Sequence, residues 1–236
     1  FNFETALGPC RIDSELNQKK IVQNIKNTTN DLISKFGDIN SKNPFSIKII
    51  NTNNEWINKF PKLDWAAGIA TNNQIFINNS KILNNTDMLE TISHEICHIY
   101  QHRIKNSKTF PSWFKEGMAM SFSKKISLDK KNTISKSIWL KCLIDLEELN
   151  SISSLNRNQI ELAYQQSRAA YQMISNRFNV KAIIAEMNNN LSFELAFKKI
   201  TNIPLNDFEK DFNLNLLNST DKYIIFRQPM TWFFLS

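Results

Sequence analysis

Histidine occurs three times in the 236 residues, cysteine three times, glycine four times and proline six times. Each shortage excludes something. Three widely spaced cysteines (Cys10, Cys97 and Cys142) rule out a disulfide framework and a thiolate zinc cluster. A Cys10–Cys142 bridge is the one pairing left open, and Cys97 reads as a small buried residue. Few glycines and prolines leave little room for flexible linkers, so the chain reads as folded rather than disordered. No run approaches the ~18 apolar residues of a membrane-spanning helix. The tail YIIFRQPMTWFFLS comes nearest, and Arg227 and Pro229 interrupt it.

What is abundant is asparagine (32 residues), with much lysine and isoleucine. That bias reads as an AT-rich, bacterial genome and carries no mechanism. The chain begins at Phe1 rather than Met, and a secreted or periplasmic placement is favoured over a cytoplasmic one. Net charge is +7, from 29 basic and 22 acidic side chains. The lysines form only short pairs such as Lys124-Lys125, so they read as a solvated surface, and no nucleic-acid partner is expected. A length of 236 residues suits one sizeable domain, expected here as a monomer.

Apolar positions Ile21, Val22, Ile25, Leu32, Ile33 and Phe36 recur at helical spacing, predicting a helix over 14–36 that is capped at Asp13 or Ser14 and stopped by Gly37. FSIKII (45–50) alternates like a strand. WAAGIA (65–70) and QIFIN (74–78) flank a Thr-Asn-Asn turn and read as a hairpin. After Thr86 the pattern turns helical through Met88, Leu89, Ile92, Ile96, Ile99 and Tyr100. From Pro111 onward almost everything reads as helix: to about Phe122, in part over 135–149, over 157–178, and near 180–188, 192–200 and 204–218. The expected fold class is α+β, with a small mixed N-terminal sheet followed by a mainly helical part. The parts are an α/β portion (1–103), a helical portion (104–220) and an apolar tail (221–236), forming one domain.

All three histidines fall within HEICHIYQHR, residues 94–103. One α-helical turn separates His94 from His98, so both rings face one side and can converge on one ion. Glu95 lies on the neighbouring flank, which is the arrangement of a His-Glu-x-x-His zinc motif with the glutamate as general base. His102 continues the stripe but stands about 12 Å along the axis from His94, too far for one ion with ~2 Å bonds. It is read as a surface or supporting residue. A third ligand must therefore be an aspartate, glutamate or cysteine. Glu116 in PSWFKEGMAMSF, 18 positions beyond His98 on the next predicted helix, is the best placed.

The pair of segments ISHEICHIYQHR and PSWFKEGMAMSF resembles the gluzincin zinc metallopeptidases, most closely the Peptidase MA-like domains. The likeness extends from FSIKII through DWAAGIA and QIFIN to AYQQS (163–167) and LSFELAFKKITNIPLNDFEKDF. It implies a zincin-like fold, a Zn2+ cofactor held by His94, His98 and Glu116, catalysis by Glu95, and a peptide or protein substrate. Tyr164 in AYQQS is the candidate donor to the oxyanion, because the family uses a phenol or imidazole there and no histidine remains; packing in a helix interface is the equal alternative. AAGIA is either an edge strand that pairs with an extended substrate or a plain buried strand. One position departs from the pattern: four residues after Glu116, where many gluzincins have an acidic residue that orients a ligand histidine, stands Met120. A catalytically inactive zincin-like scaffold that binds a protein partner is the competing function. The presence of Glu95, for which a scaffold has no chemical need, argues against it.

Overall fold

The computed structural model describes residues 1–13, 18–39, 41–123, 143–150, 155 and 157–218. These form an α+β structure with one five-stranded mixed sheet and, among the described residues, eight α-helices. They group into two compact units. The first contains residues 1–110, the end of the fourth helix at Phe122, and residues 179–196. The second contains residues 111–121 and the described parts of 125–178 and 197–236.

The first unit is built on the sheet. Its strands are β1 (Asn2–Thr5), β2 (Gly8–Asp13), β3 (Phe45–Ile50), β4 (Gly68–Ala70) and β5 (Gln74–Asn78), in the order β1-β2-β3-β5-β4. β2, β3 and β5 run parallel, while β1 and β4 are antiparallel edge strands. The hairpin expected around Thr-Asn-Asn is present, with Gly68 opposite Ile77 and Ala70 opposite Ile75, but β4 spans three residues where six were predicted.

Helix α1 (Gln18–Phe36) makes the crossover from β2 to β3. Ile21, Ile25, Leu32 and Phe36 form its buried face, and the Gly37 N–H closes it on the Ile33 carbonyl. Asp13 belongs to β2 rather than capping this helix, and Ser14 lies outside the described residues. Helix α2 (Asn53–Lys59) was not predicted. Thr52 caps it, and Trp56 is fully buried with its indole N–H donating to the Leu63 carbonyl at 2.8 Å. Around that indole a small core gathers Ile50, Ala66 and Phe76, with Phe60, Leu63, Trp65 and Ile69 at its margin.

Helix α3 (Asn85–His102) carries the histidines. Asn84 caps it by accepting the N–H groups of Thr86 and Asp87, a good start for an 18-residue helix because first-turn N–H groups have no partner within the helix. Met88, Ile92, Ile96, Ile99 and Tyr100 are buried, and α3 packs against α1, β4 and β5. A buried Thr28–Ser93 hydroxyl pair at 3.0 Å ties α1 to α3. The Tyr100 hydroxyl donates to the Gly37 carbonyl at 2.9 Å.

The second unit is helical. Helix α4 (Ser112–Ser123) begins directly after Pro111, and Ser112 donates two hydrogen bonds to Asn150, from its N–H to the side-chain oxygen and from its hydroxyl to the carbonyl. The Trp113 indole donates to the Glu209 carboxylate at 2.7 Å and stacks on Phe208 of α8 (Leu205–Asn218). Phe208 in turn meets Phe197 of α7 (Phe193–Thr201). Phe114 meets Tyr171 of α5 (Arg157–Ser175) edge-on. The buried Gln166 amide braces both the N–H and the C=O of Ile144, at 2.9 and 2.7 Å. Helix α6 (Val180–Asn188) belongs to the first unit and lies against α1.

Of the helix expected in part over 135–149, residues 135–142 lie outside the described residues, and 143–150 run through a turn into one short 3-10 turn at 148–150. The 221–236 tail and Cys142 also lie outside them. Cys10 and Cys97 are buried thiols that form no disulfide with one another. Among the described residues no helix is long and apolar enough to cross a membrane.

Candidate metal centre

Side chains on an α-helix lean toward its N-terminus, so each covers the residue three or four positions earlier. Two residues of α3 show this lean along one stripe. The His98 ring reaches back to His94 and sets the two Nε2 atoms 3.2 Å apart, with the rings nearly perpendicular. Gln101 reaches back to His98, its Oε1 lying 2.9 Å from Nδ1. The same amide donates from Nε2 to Cys97 Sγ at 3.7 Å. Gln101 and Cys97 are buried, while both histidines are half-buried.

A tetrahedral zinc ion with Zn–N bonds of about 2.0–2.1 Å holds two nitrogens about 3.3–3.4 Å apart. The 3.2 Å between the two Nε2 atoms meets that requirement. Glu116, half-buried on α4, is the third member of a group that could hold a metal ion: one ligand atom from each of His94, His98 and Glu116 lies within 4.8 Å of the other two. Two nitrogens and one carboxylate oxygen are a donor set of the type zinc takes.

Glu95 points to another flank of α3 and is buried. Its neighbour is the edge strand. A β-carbon at Gly68 would fall 2.6 Å from Glu95 Oε1, 2.8 Å from Cγ and 3.0 Å from Cδ. Glycine is therefore the residue that lets β4 lie against this carboxylate. His102 turns elsewhere, its Nδ1 lying 3.2 Å from the Thr71 carbonyl in the β4–β5 turn. Tyr164 is half-buried on α5, within the second unit. Met120 is buried on α4.

The residue-by-residue reading missed Gln101 and did not single out Gly68. Gln101 was detectable, because it stands three positions after His98 on the same predicted helix and an amide there can accept from a ring N–H. Gly68 carried a weaker signal, one glycine within AAGIA, and its partner becomes apparent only once β4 is packed on α3.

Comparison with protein-family models, with curated proteins and with solved structures finds no match for this chain.

Proposed function

We propose that this chain is a zinc-dependent metallopeptidase of the gluzincin type, with a zincin-like fold, that hydrolyses peptide bonds in peptide or protein substrates. The observation that carries the reading is the convergence of the His94 and His98 Nε2 atoms to 3.2 Å, with Glu116 completing a three-donor group. His94, His98 and Glu116 would hold the ion, leaving a coordination position for water or substrate. A bound zinc ion supplies Lewis acidity and brings the ionisation of water near neutral pH.

The protein's own contribution centres on Glu95. As general base it takes the proton of the attacking water, and as general acid it delivers that proton to the departing amine, so the carboxylate is regenerated each turnover. Its seat against Gly68 restricts where the carboxylate can swing. β4 stands last in the sheet order, so its outer edge presents backbone groups that can pair with an extended substrate chain. Tyr164 is the proposed donor to the oxyanion of the tetrahedral intermediate.

The deciding experiment pairs zinc analysis with cleavage of a diverse peptide library. Wild type should bind one zinc per chain and cleave. Glu95→Gln should keep its zinc and lose about 10²–10⁴-fold in rate, the usual worth of general acid–base catalysis. Undiminished cleavage by Glu95→Gln would overturn the mechanism, and a fully zinc-loaded wild type that cleaves nothing would favour a binding scaffold. Glu116→Ala should weaken zinc binding by more than the ~10–100-fold that residues outside the ligand set contribute.

A further inference from the structure

We propose that Gln101 is the positioning residue of the metal-ligating His98: its amide oxygen selects the ring tautomer and aims the ring nitrogen that faces His94. The departure noted in the sequence makes the question concrete. Where many gluzincins have an acidic residue that orients a ligand histidine, this chain has the buried, apolar Met120. A neutral imidazole with one nitrogen committed to an ion carries its hydrogen on the other, and that N–H needs an acceptor. Gln101 Oε1, 2.9 Å from His98 Nδ1, occupies that place.

The orientation of the amide is held from its other end. Gln101 Nε2 lies 3.7 Å from the fully buried Cys97 Sγ, so the amide N–H has a soft acceptor while Oε1 faces the ring. With Nδ1 bearing the hydrogen, the lone pair of His98 is on Nε2, the atom 3.2 Å from His94 Nε2. The reversed amide would set an N–H against Nδ1, leave the hydrogen on Nε2 and close His98 to metal. Burial of Gln101 at 1% exposure matters because no water competes for the bond.

The chemistry of the acceptor has a consequence. A carboxylate in this position raises the basicity of the ligand histidine, whereas a neutral amide does so much less. His98 is therefore oriented without added negative charge, and more of the ion's charge stays available to polarise water or a substrate carbonyl. This consequence rests on the metallopeptidase reading; the tautomer does not.

Two measurements separate the two. The first needs no metal: the imidazole nitrogens of His98 in the zinc-free protein, observed by long-range proton–nitrogen correlation at about pH 8, above the ordinary histidine pKa of ~6.5. The Nδ1–H tautomer is expected in wild type. A His98 found as Nε2–H would overturn the proposal whatever the fate of the metal reading. The second is zinc affinity measured by competition with a chelating indicator. Gln101→Met, which keeps the length of the side chain and removes the acceptor, should bind zinc about 10–100-fold more weakly, with an unchanged far-UV spectrum in the zinc-free state. Gln101→Glu, which keeps an acceptor oxygen, should bind within about threefold of wild type or more tightly. Wild-type affinity in Gln101→Met would overturn the proposal and leave the zinc site standing. Absence of zinc binding by wild type would overturn the metallopeptidase reading, and the tautomer result would then stand or fall alone.

Discussion

Gly117 in the second unit and Gly68 in the first each admit a close neighbour where a side chain would collide, and the neighbours differ in kind. At Gly117 on α4 a β-carbon would fall 2.1 Å from the Ser167 carbonyl oxygen and 2.7 Å from its carbon, both backbone atoms of α5. At Gly68 the collision is with the side chain of Glu95. Backbone in the middle of a helix cannot retreat without moving the helix, whereas a carboxylate can rotate. Gly117 is thus an architectural requirement of the second unit, and Gly68 is a requirement of one functional group in the first. Close approach alone does not distinguish structure from function; the identity of the approached atom does.

The largest effect should come from Gly117→Ala. Overpacking of a tight interface costs about 1–3 kcal/mol or more, and a backbone contact this close belongs at the upper end. A loss of about 3 kcal/mol corresponds to roughly 6–12 °C in Tm for a chain of this size. A thermal midpoint within about 2 °C of wild type would break the comparison by showing that α4 and α5 can part cheaply.

Gly68→Ala should separate stability from activity. Rotating the Glu95 side chain off its rotamer costs only about 0.5–1.5 kcal/mol, so unfolding by urea should change little. On the proposed metallopeptidase mechanism, zinc affinity should stay at the wild-type value while kcat for peptide cleavage falls about 10–100-fold, because misplacing a catalytic group by an ångström has effects of that order. Equal losses of kcat and of stability would assign Gly68 the same architectural role as Gly117.

The N-terminal hairpin and α2 show how far local reading reaches. GPCRID alternates buried and exposed positions as a strand should, yet six residues opening on Gly-Pro are too little to declare a strand; Gly8 and Pro9 pair with Thr5 and Glu4 of β1, and Cys10–Asp13 pair with Phe45–Lys48 of β3. α2 has seven residues, too short for a periodicity to declare itself, and its stability comes from Trp56 in a core assembled from four other segments. The histidine pair was legible because helical geometry alone sets His94 and His98 on one face.

A smaller effect sharpens the contrast between the units through pH. Burial pushes the Cys10 thiol up to about 12, with Arg103 opposing weakly, and burial raises the Tyr100 phenol above its ordinary range. Both groups belong to the first unit. Each is an acid that holds its proton more tightly when folded, so between pH 9 and 12 the native state binds more protons than the unfolded state. Stability attributable to Cys10 is full below about pH 9 and declines as pH rises toward 12. Between pH 8 and pH 10 wild type should lose about 1 kcal/mol through this thiol, measured by urea unfolding, and Cys10→Ala should lack that part of the slope. The stability deficit of Gly117→Ala should be the same at both pH values. A deficit that grows with pH would tie Gly117 to the titrating groups and blur the distinction.

The sequence by itself determined what depends on neighbours within one helical turn: the facing rings of His94 and His98, and Glu95 on the flank. These follow from 3.6 residues per turn and need no knowledge of the rest of the fold. Gln101 lies within the same reach, but its bond to His98 was read only from the structure. Only the tertiary structure decided that His102 turns to the Thr71 carbonyl, that Glu116 shares a 4.8 Å group with the two histidines, and that Gly68 lies against Glu95. The reason is that each of these depends on segments far apart in the chain being brought together, and no local periodicity encodes which atoms then meet.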